Sequence, residues 1–406
     1  MPTRTRQGPT AEQRDSGRQK VLDTIRAHGQ IARIDIAQDT GFSPATVTAI
    51  TSELIGAQLI EETQADDSVS TNKRGRPRVT LKISGAALLV AGVKVALNSI
   101  TVLIADFEGN HVVTHQVPLT TPRASPENLV DVVTGAVQES CDLAGKTLDS
   151  ISAMCVGLAG LVDANAKFVH WSSALDRRNV DLGKLFAERV PFPVFIDNDA
   201  NLVAKAEQLF GIGQGAQNFL VVSIEHGVGL GIIINGEVYR GVRGCGAEFG
   251  HTKIQFEGAL CQCGQRGCLE AYVGTYALLR EYHSVVGRPV FDDVTELFAA
   301  AAGDDAMARS VLDRAGKMLA LGLANLVNVF DPELIILAGA QNRIGLPYIE
   351  AAIKDTARLV VKVDAPLPPI QAHDSFGDLM WAKGAAALAI EKVSAMTVKE
   401  LPRNAS

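Results

Sequence analysis

The chain has 406 residues, a formal net charge of −7 at pH 7, 47% hydrophobic residues and 20% charged residues. This composition is ordinary for a soluble globular protein, and the length predicts two or three domains. No apolar run reaches the roughly 18–20 residues of a membrane span, and the N-terminus lacks the apolar segment of a signal peptide, so we expect a cytoplasmic protein that does not bind membranes. The acidic charge argues against a protein that coats nucleic acid. It is compatible with a small basic DNA-binding domain on an acidic body.

The N-terminal part predicts three helices. We expect residues 1–16 to be disordered because they are polar, and a helical pattern with one apolar face then begins at Gly17. A short second helix is predicted over 34–39, and Gly41 marks a turn. Ser43 and Pro44 have the residue types of an N-cap and a first helical position, so a third helix begins there.

The third helix has an apolar stripe of Val47, Ile50 and Leu54, which predicts a buried face. Its other side is small and polar, with Ala45, Thr46, Thr48, Thr51 and Ser52. A helix, a short helix, a glycine turn and a capped helix are typical of a helix-turn-helix motif. We therefore expect the third helix to contact DNA through Ser43, Thr46, Thr48 and Ser52.

A basic stretch follows, KRGRPRVTLKIS (73–84). It predicts a β-wing with Gly75 and Pro77 at its tip and a strand over 79–83. A basic loop of this kind can enter a minor groove and contact phosphates. A solvated linker is the alternative, but the position directly after a helix-turn-helix favours DNA contact by Arg74, Arg76 and Arg78. Residues 17–83 are thus predicted to form a winged helix-turn-helix domain.

The remaining chain has an α/β pattern that occurs twice. The first set of strands is predicted over 88–95, 99–106 and 111–119, with a helix over 126–143 and a strand over 151–156. The second set comprises strands over 219–224, 229–234 and 237–239, a helix over 306–329 and a strand over 334–337. We expect lobe 1 at 84–195, with a C-terminal helix (about 378–394) packing back on it, and lobe 2 at 196–377. A cleft between two lobes is a common ligand site.

Three of the six cysteines follow one histidine in the pattern His251-x9-Cys261-x-Cys263-x4-Cys268. One imidazole and three thiolates are a standard closed zinc site, and Gly264 and Gly267 allow the loop to curl around an ion. An incidental cluster or a redox pair is the alternative. Four protein ligands predict a structural rather than a catalytic zinc ion, one per chain. The other cysteines, Cys141, Cys155 and Cys245, are expected to be buried core residues.

Acidic and amide side chains lie close to this loop in the sequence. Glu248 precedes His251 by three residues, and Glu270 follows Cys268 by two. Further upstream, Asp197, Asn198 and Asp199 stand where a strand is predicted to end and a helix to begin, and we expect them to face the cleft. Carboxylates and amides match the hydroxyl array of a sugar.

The stretches GVRGCGAEFGHTKIQFEGALCQCGQRGCLEAY and FIDNDANLVAKAEQLFG resemble the signatures of the ROK family, which contains repressors, open reading frames of unknown role and sugar kinases. The N-terminal head resembles that of its regulators. The resemblance covers nearly all of the chain beyond residue 17. It implies an actin-like, ribonuclease-H-like body of two α/β lobes. It also implies a sugar site formed by Asn198, Asp199, Glu248, His251 and Glu270, with His251 ligating zinc as well.

The sequence departs from the family's kinases on the nucleotide side. Where kinases have Asp-x-Gly-Gly-Thr-Lys, the stretch VAGVKVALNSI places Lys94 at the aspartate and Ala96-Leu97 at the glycines. Their Gly-Thr-Gly turn is replaced by Glu225-His226-Gly227, and a later Gly-Gly pair by LAGA (337–340). Without glycines the backbone cannot approach a phosphate closely, and a carboxylate repels one. The residue matching Asp199 is the kinases' catalytic base.

We therefore expect a sugar-responsive transcription regulator, a repressor of carbohydrate genes, with no catalytic residues. It binds double-stranded operator DNA as a homodimer or homotetramer and binds a sugar without phosphorylating it. An active ATP-dependent sugar kinase with a fused DNA-binding head is one alternative. A zinc-stabilised sugar-binding protein with a mere linker at the basic stretch is another. The stretch GLAGLVDA (157–164) either lines the sugar or forms a plain tight turn.

Overall fold

The computed structural model of the chain describes residues 11–64, 79–119, 123–339, 346–361, 364, 366–373 and 378–402. Within these ranges the chain forms an N-terminal head and an α/β body with two five-stranded sheets. The body confirms the predicted α/β class and the two lobes. Among the described helices, none is both long and apolar enough to span a bilayer.

The head contains three helices and a small antiparallel sheet, as the sequence predicted. The helices are α1 (Ala11–His28), α2 (Arg33–Thr40) and α3 (Pro44–Gly56). The strands β1 (Ile31–Ala32), β2 (Ile60–Gln64) and β3 (Val79–Ile83) pair in the order β1-β3-β2. Helix α1 begins at Ala11 rather than Gly17, so the expectation of disorder through residue 16 is wrong for residues 11–16. In this first part of α1, Asp15 accepts a hydrogen bond from Arg18 (3.4 Å).

Local capping fixes the turn between α2 and α3. Gly41 has φ +74° and donates its N–H to Ala37 O, and the Ser43 hydroxyl accepts from Thr46 N (3.1 Å). Both caps were predicted. Val47 and Leu54 are fully buried, as expected from the apolar stripe. Thr51 was expected on the exposed side of α3, and this is wrong: it is fully buried.

The first sheet of the body has the strand order β11-β7-β4-β5-β6. Its strands are β4 (Leu89–Val95), β5 (Ser99–Asp106), β6 (His111–Pro118), β7 (Ile151–Leu158) and β11 (Val194–Asn198). The first three form an antiparallel meander, and β7 and β11 run parallel to β4. Helix α4 (Pro126–Leu143), with the predicted bounds, packs on β5 and β6. Beside this sheet lie β8 (Gly160–Asp163), β9 (Phe168–Ser172), β10 (Val180–Asp181) and α5 (Leu182–Ala187).

The second sheet repeats this topology in the order β14-β13-β12-β15-β16. Its strands are β12 (Phe219–Ile224), β13 (Val228–Ile234), β14 (Glu237–Val238), β15 (Leu334–Ala338) and β16 (Ile370–Ala372). The helices on this side are α7 (Glu270–Val273), α8 (Thr275–Val286), α9 (Val294–Ala302), α10 (Ala306–Phe330) and α11 (Leu346–Leu359). Each sheet therefore has three antiparallel strands followed by two parallel ones, which confirms the predicted repeat.

Two further helices join the sheets. Helix α6 (Asp199–Phe210) follows the last strand of the first sheet but packs on β12 and β13 of the second. Helix α12 (Asp378–Glu400) packs on β4, β5 and β7 of the first sheet and on α6. The layers are therefore sheet, α12, α6 and sheet, so these two helices separate the two lobes' sheets.

Glycines bring these layers into backbone contact. A Cβ at Gly92 of β4 would lie 2.1 Å from Ala382 O, and one at Gly384 of α12 would lie 1.9 Å from Leu202 O. A Cβ at Gly231 of β13 would lie 2.5 Å from Ala200 O. These separations are far below van der Waals contact, so each layer touches the next through main-chain atoms rather than through adjustable side chains.

Replacing Gly384 with alanine should destabilise the protein by about 1–3 kcal/mol, because α12 and α6 must move apart. Gly135→Ala in α4 is the matched control, since nothing lies within 4 Å of the place its new methyl group would occupy. The control should gain up to about 1 kcal/mol from helix propensity. Urea denaturation midpoints measure both. Equal stability of Gly384→Ala and the wild-type protein would contradict the packing described above.

Candidate sugar and metal sites

The cluster of one histidine and three cysteines assembles as the spacing predicted. The ligand atoms of His251, Cys261, Cys263 and Cys268 all lie within 4.8 Å of one another. Cys263 Sγ is 3.8 Å from Cys268 Sγ, and Cys261 Sγ is 3.7 Å from His251 Nδ1. Zn–S bonds of about 2.3 Å in a tetrahedron require sulfurs about 3.8 Å apart. The donor set and its spacing therefore fit a metal ion such as zinc.

The loop that carries the cysteines depends on two left-handed glycines. Gly264 has φ +86° and Gly267 has φ +77°. At Gly267 a Cβ would also lie 1.8 Å from Gln255 O, so no other residue fits there. This is the curl that the sequence predicted.

Two side chains that the sequence analysis did not single out complete the surroundings of the cluster. Lys253 Nζ donates to Cys268 Sγ (3.0 Å), and this hydrogen bond raises the pKa of the ammonium group. The Tyr276 hydroxyl contacts Cys261 Sγ (3.6 Å) and Glu270 Oε1 (3.3 Å). Burial is the main cause that raises the pKa of Tyr276, so the phenol stays a neutral donor. Tyr276 thus ties the cluster to Glu270.

The carboxylates predicted to bind sugar come together from distant parts of the chain. Glu270 Oε2 accepts from Val228 N (3.2 Å), which fixes the side chain against β13. Desolvation by the surrounding protein raises the pKa of Glu248 to about 7, with further rises from the charges of Asp199 and Glu270. Burial also raises the pKa of Asp199, against the opposing charge of Lys94. Neighbouring carboxylates with raised pKa values, here Glu248 and Asp199, are typical of a ligand site.

Asn198 is held by two hydrogen bonds at the start of α6. Its Oδ1 accepts from Ala200 N (2.8 Å), so the side chain caps the helix, and its Nδ2 donates to Gly160 O (2.9 Å). Gly160 lies in the glycine-rich stretch 157–164, and Ser172 pairs with it in the β8–β9 ladder. The glycine-rich stretch therefore contacts Asn198, one of the residues predicted to bind sugar, and it also forms a tight turn.

Asp197 does not face the cleft, contrary to the expectation from the sequence. It is 1% exposed and accepts hydrogen bonds from Arg240 Nε (2.9 Å) and Asn201 Nδ2 (2.8 Å). A buried carboxylate needs such partners, so Asp197 holds β11 and the start of α6 in place. Arg240 follows β14, and nothing in its local sequence indicates this role.

Cys245 also departs from expectation. Cys141 and Cys155 are buried as predicted, but Cys245 is only half-buried in the loop before Glu248. Its thiol donates to Arg243 O (3.3 Å) and does not belong to the cluster.

On the nucleotide side, Lys94 and Glu225 occupy defined positions. Lys94 Nζ lies 3.8 Å from the centre of the Trp381 ring, on α12. A Cβ at Gly339 would lie 3.2 Å from Glu225 Oε1, so this carboxylate stands directly beside the Gly339 backbone. Two charged side chains therefore occupy two of the three stretches that we expected to differ from the kinase pattern. Ala340 lies outside the described residues.

The predicted DNA-contacting residues of α3 lie on its surface. Ser43, Thr46, Thr48 and Ser52 are all exposed. Thr48 and Ser52 share one face, and their hydroxyls donate to Pro44 O and Thr48 O (both 2.8 Å). The buried Thr51 faces α2 instead, where its hydroxyl accepts from Arg33 Nε (3.1 Å). Arg74, Arg76 and Arg78 lie outside the described residues, whereas the predicted strand after them is β3.

Loss of a residue that only hydrogen-bonds to a metal ligand lowers metal affinity by roughly 10–100-fold. Cys263→Ser removes a predicted ligand itself and should therefore lower zinc affinity by more than this. Zinc per chain, measured by mass spectrometry after dialysis against graded chelator, gives the affinity. Cys245→Ser is the matched control and should retain the wild-type value. Equal zinc retention by both variants would show that Cys263 is not a ligand.

Comparisons with known proteins agree with this geometry. The family model described as "ROK family" matches residues 90–392. The xylose repressor of Bacillus spizizenii is 31% identical over 323 residues, which are 78% of this chain and 80% of that protein. The DNA-binding transcriptional dual regulator NagC of Escherichia coli is 29% identical over 357 residues, 86% of each chain. Both relatives are named as regulators rather than as kinases.

Two solved structures resemble the whole chain and its body, respectively. A ROK family transcriptional regulator, a homologue of the E. coli Mlc protein, superposes with a TM-score of 0.80 at 26% identity over 95% of this chain and 99% of that chain. A ROK family glucokinase from Streptomyces griseus, solved with glucose and AMPPNP, superposes with a TM-score of 0.65 at 30% identity over 74% of this chain and 99% of that chain. The chain therefore belongs to the ROK family, as one of its transcriptional regulators.

Proposed function

We propose that the protein is a repressor of genes for carbohydrate uptake or catabolism, and that a sugar bound in its cleft controls its grip on operator DNA. The observation that carries this proposal is the combination in one chain of a helix-turn-helix head and a group of neighbouring carboxylates, Asp199, Glu248 and Glu270, beside a Cys3His cluster. The names of the similar xylose repressor and of NagC support both halves of the proposal.

The head binds DNA through α3 and the basic stretch after β2. Two copies in a homodimer or homotetramer place their α3 helices in successive major grooves of a pseudo-palindromic operator. The exposed hydroxyls of Thr46, Thr48 and Ser52 reach base edges or phosphates. Ser43 caps α3 and presents its N-terminus to the DNA backbone. Arg74, Arg76 and Arg78 supply the basic contacts.

The cleft binds a sugar through Asn198, Asp199, Glu248, His251 and Glu270. Three carboxylates and an amide offer directional hydrogen bonds to ring hydroxyls. Zinc, held by His251 and the three cysteines, supplies rigidity to the loop and not an open coordination position. The contact of His251 Nδ1 with Cys261 of the cluster orients the His251 ring for the sugar. Contacts with the Tyr276 hydroxyl and with Val228 N orient Glu270.

Sugar binding changes the angle between the lobes and thereby the spacing of the two heads. Such coupling requires different sugar affinities in the two states, typically by about 1–3 kcal/mol.

The body does not act as a kinase in this proposal. Lys94 replaces the aspartate of the kinase hairpin, and Glu225 places a carboxylate beside the Gly339 backbone, where a nucleotide phosphate would need free N–H groups. The rival function is an active ATP-dependent sugar kinase with a fused head. The observations that favour the kinase are the likeness to the S. griseus glucokinase and the half-buried Asp199, which matches the kinase base in the family resemblance.

A gel shift with the DNA upstream of the chain's own gene tests the regulator. The wild-type protein should bind this DNA, and one sugar from a panel of xylose, glucose, N-acetylglucosamine and their phosphates should change the affinity. Replacing Arg76 and Arg78 with alanine should weaken binding to all sequences and reduce the slope of log K against log salt by about 1.8, at about 0.9 per phosphate contact.

The exposed Arg288 on the second lobe provides the control, and Arg288→Ala should keep both affinity and slope. An unchanged slope in the Arg76/Arg78 variant would mean that the basic stretch is a linker. No shift with any DNA would remove the proposed function itself.

An ATP-coupled assay with the same sugars separates the regulator from the kinase. We expect no phosphorylation above the rate of the Asp199→Asn variant, because Asp199 is the only residue assigned to proton removal in the kinase alternative. Phosphorylation of any sugar at ordinary enzyme rates, about 1–100 per second, would establish the kinase.

A further inference from the structure

The head is not a separate body joined by a flexible linker in the described chain. Val21, Leu22 and Ile25 of α1 share one apolar cluster with Phe107 of the first lobe and with Val398 of α12. Arg26 adds a hydrogen bond to Phe107 O (2.6 Å) and lies over the Phe107 ring at 4.7 Å. The recognition helix therefore has a fixed position on the body through α1.

Arg18 of α1 makes the most direct link between α3 and the body. It is 1% exposed, and its Nε donates to Glu53 Oε2 on α3 (2.7 Å). Its two Nη atoms donate to Val398 O (3.4 Å) and Pro402 O (3.2 Å) at the end of α12. Carbonyls at a helix C-terminus lack helical partners and carry partial negative charge, so they suit a buried guanidinium.

The other end of α12 contacts Lys94 of β4, close enough for its charge to act on Asp199. Trp381 in its first turn carries the ammonium of Lys94 on its ring, and the charge of Lys94 acts on Asp199. From Trp381 to Val398 the helix extends about 26 Å, at about 1.5 Å per residue. One helix thus contacts Lys94, whose charge acts on Asp199, at its start and contacts Arg18, the partner of α3, at its end.

The packing of α12 leaves little room to absorb a displacement. It meets β4, which carries Lys94, at Gly92, and it meets α6, which begins with Asp199, at Gly384. Both contacts join main-chain atoms, so a shift of β4 or α6 must move α12. In its middle, Glu391 also pairs with the buried Lys205 of α6.

We infer that α12 carries the state of the sugar cleft to the recognition helix, and that Arg18 is the positioning residue that fixes α3 to the end of α12. The inference rests on the proposed function for its biological meaning, but the mechanical link can be tested without sugar or DNA. Lys94→Met removes the ammonium group and so imitates a change in the cleft. Arg18→Met removes the guanidinium group but keeps an apolar side chain of similar length.

Hydrogen–deuterium exchange of the full chain, read peptide by peptide, measures the link. Arg18→Met should speed exchange by at least about threefold in α3 and in the last turns of α12, and leave β12 and β15 of the second lobe unchanged. Arg33→Met is the matched control, because Arg33 contacts Thr51 and Glu62 within the head. It should affect α2 and α3 but leave the end of α12 as in the wild-type protein.

Transmission is tested by Lys94→Met alone and combined with Arg18→Met. Lys94→Met should change exchange in α3 by at least about threefold, and this change should vanish in the double variant. Glu53→Gln, at a partly exposed site, tests the same link without replacing a buried residue and should loosen the end of α12. The inference fails if Lys94→Met leaves exchange in α3 unchanged, or if it changes this exchange equally in the wild-type and Arg18→Met proteins. It also fails if Arg18→Met speeds exchange throughout the chain.

These outcomes are independent of the gel shift. If the proposed function is wrong, the wild-type protein does not bind DNA, whatever the exchange pattern. If the present inference is wrong, the protein still binds DNA but hydrogen exchange in α3 shows no link to α12.

Discussion

A metal ion held by His251, Cys261, Cys263 and Cys268 is the interaction on which the proposed sugar site depends. The loop that carries the cysteines has little core of its own, since Phe256 is 88% exposed and Leu260 is 51% exposed. Structural zinc contributes about 10–16 kcal/mol of binding free energy in small zinc domains, far more than the few apolar contacts of such a loop. A metal at this cluster is therefore the interaction that would fix Glu248 on one side and Glu270 on the other.

The layers of the body meet through main-chain contacts, and α12 in turn packs against the head through side chains of α1. The order of layers places α6 and α12 between the two sheets. Glycines at the contacts leave no side chains between the main chains of neighbouring layers. Asp199 begins α6, Lys94 lies on β4, and both elements press on α12. The elements that carry Asp199 and Lys94 are thereby joined to the head by a continuous set of packed elements.

The sequence predicted what depends on neighbours in the chain. The Ser43 cap, the bounds of α4 and the metal cluster arise from short-range spacing, and the repeat of strands predicted two lobes. The family resemblance added the fold type and a set of predicted sugar residues, of which Asp199 and Glu270 help to raise the pKa of Glu248.

Contacts between distant residues could not be predicted in this way. Thr51 lies on the polar side of α3 in the sequence, yet Arg33 of another helix buries it. Asp197 looked like a cleft residue, but Arg240 pairs with it from 43 residues away. Arg18 has the sequence surroundings of an ordinary surface arginine. Its role exists only because the end of α12, 380 residues further along the chain, folds back beside it.

The central claim is that a metal-fixed loop presents the carboxylates of the cleft to a sugar. Calorimetric titration of the panel sugars into the native protein, the chelator-stripped protein and the zinc-restored protein tests it most directly. The account predicts that the binding of the recognised sugar is lost on stripping and returns with zinc. Undiminished sugar binding by protein shown to be free of metal would contradict it.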